Sequence, residues 1–142
     1  MVNNPICTSL EQSQTLVDLG IDIETADMYY VLYNNRSPKL NIKYNSFPTD
    51  LFEFTPAWSL SALSDLLPSF IKLNYKDYVL TMLNIGRVVY LNPNEPNLFE
   101  ADRMTLLDAV VETIEWVYRN GYVNKWLEWG RVKSNFGSVS FF

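Results

Sequence analysis

Histidine is absent from this chain, and cysteine occurs once, at Cys7. Without an imidazole to move protons, neither a Ser-His-Asp triad nor a Cys-His pair can be assembled from it. A zinc site of cysteine and histidine ligands is excluded on the same ground. The five glycines stand singly, so there is no GxxxxGK[ST] phosphate loop and no GxGxxG dinucleotide turn. A lone Cys7 has no internal disulfide partner, which fits a reducing cytosol. No apolar run approaches the roughly eighteen residues that span a bilayer, since Lys72, Arg87 and Asp108 interrupt the best stretches. Met1 to Ile6 lacks a basic region followed by an apolar one, so no signal peptide is expected. The sequon Asn35-Arg36-Ser37 is then a chance match. A cytoplasmic protein with no membrane contact is the expectation.

Aromatic residues, by contrast, are abundant at 15%: four Trp, nine Tyr and eight Phe among 142 residues. Apolar residues make up 48% and charged residues 19%, the balance of a folded domain long enough to bury a core. Large rings dominate such cores, and a surplus is available for a contact surface. The net charge of −5 gives no long-range attraction to phosphates and argues against nucleic acid as a partner.

Thr8-Ser9-Leu10-Glu11-Gln12 has the pattern of a capping box, predicting a helix from Ser9 to Leu19 that Gly20 stops. Residues 21–27 form a connector. Met28 to Tyr33 is bulky or β-branched throughout and reads as a strand buried on both faces. After turn residues Asn34 to Pro38, residues 39–44 alternate, with Leu40, Ile42 and Tyr44 on one face, which predicts a hairpin. A loop from Asn45 to Thr55 holds three Phe residues. Thr55-Pro56 resembles a helix start, for a helix ending before Pro68. Phe70 to Asn74, Tyr78 to Leu83 and Arg87 to Leu91 read as strands. Their breaks are Asn74 to Asp77 and the tight Asn84-Ile85-Gly86. A loop over 92–97 precedes the most regular amphipathic helix, with Leu107, Val110, Val111, Ile114, Val117 and Tyr118 on its apolar side. Two capping boxes compete for its start, Asn97 with Glu100 and Thr105 with Asp108; Gly121 ends it. The expected fold is α+β, a mainly antiparallel sheet of about five strands covered on one face by three helices. Residues 1–121 form the domain and 122–142 a tail packed on it or on a partner.

Chemistry by carboxylates stays open. Asp22, Glu24 and Asp27 could hold a hard cation through oxygen, but they lack the EF-hand spacing and read as a capping connector. Asp108, Glu112 and Glu115 share a helix face and read as its solvated side. Nothing cationic adjoins Cys7 to activate its thiol, which reads as a small residue partly buried before the first helix. No catalytic, cofactor-binding or metal-binding residue is assigned, and no cofactor is expected.

The unusual region is the tail. Residues 119–142 hold four cations and one acid, net +3, while residues 1–118 hold seven cations and fifteen acids, net −8. Lys125, Trp126, Trp129, Arg131 and Lys133 interleave rings and cations, a composition that anchors protein partners or stacks on bases. The other reading is that the tail folds back, its rings completing the core and its cations meeting the acidic body.

Three stretches carry a resemblance: Ser9 to Gln14 with Leu19-Gly20-Ile21 and Thr25 to Met28; Pro56 to Leu63; and Leu107 to Glu112. Together they resemble a group of small uncharacterised proteins of gut Bacteroidales bacteria and their phages or mobile elements, over roughly residues 8–120. The group has no established activity, so the resemblance implies an accessory, cytoplasmic, phage-linked setting and no site residue. The functional expectation is a non-enzymatic interaction protein, with an unidentified protein partner or self-association through the tail. The alternatives are a carboxylate-dependent, metal-assisted hydrolase and single-stranded nucleic-acid binding through the tail.

Overall fold

Helix α1, Leu10–Asp18, comes first in a computed structural model that describes residues 5–33, 36–48 and 53–122. Ser9 Oγ accepts from Gln12 N at 3.1 Å and Gln12 Oε1 from Ser9 N at 3.0 Å, the reciprocal capping the sequence predicts. Thr8, outside that box, is buried: its hydroxyl accepts the Trp58 N–H at 3.1 Å and meets Ser13 Oγ at 2.8 Å. Gly20 follows the helix at φ +90°.

Strands β1 (Met28–Tyr33), β2 (Arg36–Ile42) and β3 (Phe54–Ala57) form one antiparallel sheet in the order β2-β1-β3. The hairpin predicted from alternation is present, with Tyr30 opposite Leu40 and Met28 opposite Ile42. The face of Leu40, Ile42 and Tyr44 is not uniformly buried, however: Leu40 is half-buried. Ile42 and Tyr44 are exposed, whereas Lys43 is nearly covered, its ammonium 4.6 Å from the Phe47 ring centroid. Tyr29, on the opposite face to Ile42, packs edge-on against Phe47 and Phe54, and those two rings stack at 4.8 Å. β1 has only Val31 buried among the side chains described, so it is half-covered rather than enclosed on both faces.

Thr55-Pro56 does not start a helix. It lies in β3, where Pro56 is opposite Tyr29. Proline cannot donate to a ladder, and an edge strand tolerates that loss, which is where β3 sits. Helix α2, Leu60–Ser64, begins instead at Ser59, whose hydroxyl accepts from Ala62 N.

Strands β4 (Phe70–Leu73), β5 (Lys76–Leu83), β6 (Arg87–Leu91) and β7 (Phe99–Asp102) make a second antiparallel meander. The single five-stranded sheet expected from sequence is therefore two sheets, of three and four strands. β7 uses the residues that resembled an Asn97–Glu100 cap: Phe99 and Ala101 alternate with Glu100 and Asp102, a period of two that suits a strand. Thr105 is the true cap of α3 (Leu106–Arg119), accepting from Asp108 N at 3.2 Å.

Helix α3 lies on β6 and β7, α2 on α3, and α1 on β3. A continuous core runs from Ala26, Phe47 and Trp58 through Leu63 and Leu67 to Val88, Tyr90, Val110 and Ile114. Trp58 is fully buried, and its ring N–H reaches Thr25 Oγ1 at 2.9 Å. Tyr90 is also fully buried, with its hydroxyl donating to the Pro68 carbonyl at 2.7 Å. Both rings thus keep a partner for their polar end, the condition for burying such groups cheaply.

Candidate functional site

The carboxylates singled out in the sequence are each held by a structural partner. In the connector, Asp22 caps the 3₁₀ turn Ile23–Thr25 by accepting from Glu24 N at 3.0 Å. Glu24 pairs with Lys43 at 3.7 Å. Asp27 accepts the Ser59 N–H at 2.9 Å and also the Ser59 hydroxyl. On α3, Asp108 accepts from Gln12 Nε2 at 2.8 Å, Glu112 binds Arg103, and Glu115 pairs with Arg119 at 3.2 Å. Among the described residues no three Cys, Asp or Glu side chains converge as a cation site would require. Neither trio is brought together as a catalytic cluster; both serve caps and ion pairs.

Cys7 is buried where the N-terminal segment bridges to Ser59. Its Sγ lies 3.4 Å from the Thr8 carbonyl and 3.6 Å from the Tyr30 hydroxyl, which itself donates to that carbonyl at 2.8 Å. Burial pushes the thiol pKa up and the charge of Asp27 adds to this, outweighing the Tyr30 contact that favours the thiolate. Burial, with the Cys7 contact, also pushes Tyr30 up to about 12. A thiol kept protonated is a poor nucleophile, so this cluster locks the N-terminal segment down rather than presenting a reactive group.

Lys125, Trp126, Trp129, Arg131 and Lys133, the partner-binding residues proposed from sequence, lie outside the described residues.

What the structure does present is a sheet face turned away from the core cluster. In an antiparallel ladder, directly paired residues project to the same side. The four-stranded register pairs Phe70 with Val79, Val79 with Leu91, Thr81 with Val89, and Leu83 with Arg87. It also pairs Val89 with Glu100 and Arg87 with Asp102. These side chains form the outer face. The inner one carries Ile71, Tyr78, Val88, Tyr90 and Ala101, all in the core. On the outer face Val79 is 50% exposed, Leu83 is also exposed, and Phe70, Thr81 and Leu91 are half-buried around a buried Val89. Ion pairs frame this apolar strip: Lys72 with Asp77 on the β4–β5 hairpin, and Arg87 with Glu100 towards β7. The Nε of Arg87 is buried and meets no acceptor among the described residues.

Both ends of the strip present large side chains to solvent. At one end the two-residue turn Asn74-Tyr75 joins β4 to β5, with φ of 53° and 66°. Positive φ at both positions is what a type I′ hairpin demands, and Asn-Gly is its favoured pair. Here Tyr75 takes the glycine position, 97% exposed. At the other end the Asn84-Ile85-Gly86 turn meets the loop before α3, where Arg103 N donates to the Gly86 carbonyl at 2.8 Å. That contact puts Ile85, 74% exposed, beside Met104, 78% exposed.

None of these surface residues was singled out as a site from sequence. The break at Asn74 to Asp77 was visible, but a bulky ring at a left-handed turn position becomes informative only once the pairing of Leu73 with Lys76 fixes the turn at two residues. No family model, no curated protein and no solved structure matches the chain.

Proposed function

We propose that this chain is a non-enzymatic interaction protein whose contact surface is the outer face of the four-stranded sheet. The observation that carries this reading is the placement of Tyr75. An L residue in the left-handed region costs about 1–2 kcal/mol relative to its usual backbone, and glycine would remove that cost. A ring held there in solvent stabilises nothing in the described domain, whereas tyrosine is among the residues that anchor protein interfaces. The strip behind it continues the surface with Phe70, Val79, Leu83 and Leu91, framed by ion pairs in the manner of an apolar centre with a polar rim. Contiguous apolar surface of this kind marks interaction sites more often than isolated exposed residues do.

The carboxylate-dependent hydrolase loses ground, since both acidic trios are engaged in caps and ion pairs. The resemblance to accessory proteins of gut Bacteroidales and their phages supports a cytoplasmic setting with a host or phage protein as partner. Among the described residues no helix is long and apolar enough to cross a membrane.

The test is affinity capture from a native lysate with the full chain and with Val79→Lys as baits, followed by calorimetry on the purified captured protein. A partner bound by the parent chain and weakened by about 1.4–3 kcal/mol, or roughly tenfold or more, in Tyr75→Ser and Val79→Lys is the expected result. Equal affinity of the parent chain, Tyr75→Ser and Val79→Lys for every captured protein overturns the reading.

A further inference from the structure

Asn120-Gly121 is the single Asn-Gly pair in the sequence, and it stands at the end of α3. Asparagine is a thermolabile residue, and a following glycine has no side chain to shield its nitrogen from the asparagine amide. Both residues are exposed, and among the described residues a Cβ at Gly121 would meet nothing within 4 Å. Nucleophile and electrophile are adjacent, uncrowded and open to water.

The folded cap holds them apart. Gly121, at φ +77°, closes a Schellman motif: its N–H donates to the Tyr118 carbonyl at 3.3 Å, and the Tyr122 N–H to the Val117 carbonyl at 2.8 Å. The side-chain Nδ2 of Asn120 turns back along the helix and donates to the Trp116 carbonyl at 2.8 Å. Ring closure onto Cγ needs Cβ and the Gly121 nitrogen eclipsed across the Cα–C bond, whereas ψ of 4° at Asn120 leaves them roughly 120° apart. The pair therefore reacts only when the last turn opens. Helix ends, with the fewest backbone partners, are where local opening costs least.

We infer that Asn120-Gly121 is a site of spontaneous deamidation gated by the C-terminal turn of α3. In the open turn the Gly121 nitrogen gives its proton to solvent base and bonds to Asn120 Cγ. The Cγ–Nδ2 bond breaks, and Nδ2 leaves as ammonia with a proton returned from solvent. The product is a succinimide, which water cleaves at either imide bond. Opening at Cγ gives aspartate; opening at the backbone carbonyl gives isoaspartate, with the chain routed through Cβ and Cγ. Water is the only co-reactant, and nothing is oxidised or reduced.

Either product unmakes the cap. Aspartate exchanges the Nδ2 donor for a negative charge at the negative end of the helix dipole. Isoaspartate adds a methylene to the backbone and breaks the spacing that brings the Tyr122 N–H to Val117. Tyr122, whose ring lies 5.3 Å from that of Trp116, then leaves the stack of Trp116 on Phe99 of β7. The end of α3 thus records the age of the molecule. None of the residues of the proposed contact surface takes part.

The test incubates the full chain in mildly alkaline buffer made with heavy-oxygen water and follows the Asn120 peptide by mass spectrometry. Aspartate and isoaspartate should both accumulate with heavy oxygen incorporated, and about tenfold or more faster in the urea-unfolded chain, where the turn is always open. Asn120→Gln, whose longer side chain cannot form the same five-membered ring, should stop the conversion. No conversion in the folded chain, equal rates in the folded and unfolded chains, or aspartate without isoaspartate would each overturn the inference. Asn120→Asp supplies one product directly and should lower the hydrogen-exchange protection of the Tyr122 amide by about threefold to tenfold. Unchanged protection would sink the link between the modification and the cap.

Discussion

The carbonyl of Gly86 accepts the N–H of Arg103 at 2.8 Å, seating the β5–β6 turn against the loop that leads into α3. This one contact fixes the apolar tip at Ile85 and Met104. Gly86 has φ +90°, and a Cβ there would stand 2.0 Å from the Arg103 carbonyl oxygen. Gly86→Ala should therefore cost about 2–5 kcal/mol, conformational strain plus forced separation of two backbones. Gly20 offers an internal control, since it has the same φ but nothing within 4 Å of its added Cβ. Gly20→Ala should cost about 1–2 kcal/mol. Urea denaturation of the two variants measures the difference, and equal losses would show that the close approach contributes nothing.

Asp27 and Ser59 form a second joint, between the start of β1 and the cap of α2. The carboxylate accepts both the backbone N–H and the hydroxyl of Ser59, while that hydroxyl caps Ala62 N. Asp27→Ala should destabilise by about 1.5–3 kcal/mol through lost charge-assisted bonds, and Ser59→Ala by about 1 kcal/mol through the lost cap. Because the two residues share one network, the double variant should lose less than the sum. Additive losses in equilibrium unfolding would mean that the pair is not coupled.

Tyr30 gives the fold an alkaline limit. Its pKa rises from an ordinary 10 to about 12 in the folded chain. Below the ordinary value both folded and unfolded states hold the proton, and this contribution to stability is fully present. Between the two values the unfolded state releases its proton first, so rising pH favours unfolding until the folded group also ionises. Tyr90, buried with no compensating charge, is pushed up in the same direction. The denaturation midpoint should fall between about pH 10 and pH 12, and less steeply in Tyr30→Phe. Parallel pH profiles for the two chains would remove Tyr30 as a cause.

Local rules were legible wherever they acted without competition. The Ser9–Gln12 box, the stop at Gly20 and the apolar side of α3 stand as the sequence predicts, because each is written in a short local pattern, while of the two starts left open for α3 the structure selects Thr105. Thr55-Pro56 misled because proline suits both a first helical turn and an edge strand, and only the pairing with Tyr29 decides. Glu100 misled in the same way, its amide-to-acid contact with Asn97 at 3.3 Å coexisting with a strand rather than a helix start. The division into two sheets was hidden because nothing local records which strand pairs with which. The outer face of the four-stranded sheet was least visible of all. Val79 and Leu83 alternate as core residues do, and the sequence does not state which face of a sheet the helices cover.

Tyr75 separates a structural from a functional role most sharply. In a hairpin whose turn requires two left-handed residues, Asn74-Tyr75 is an expensive choice beside Asn-Gly. If the ring only decorated the turn, Tyr75→Gly would relieve strain at no functional cost. The expected outcome is a gain in stability of about 0.5–1.5 kcal/mol, the relief of left-handed strain less the added freedom of the unfolded chain. The same substitution should weaken binding of the captured partner by about tenfold or more, because an interface anchor is gone while the sheet behind it is intact. Chemical denaturation and calorimetry on one preparation supply both numbers. A stabilised variant that binds its partner undiminished would leave the exposed ring without a role, and the outer face without its anchor.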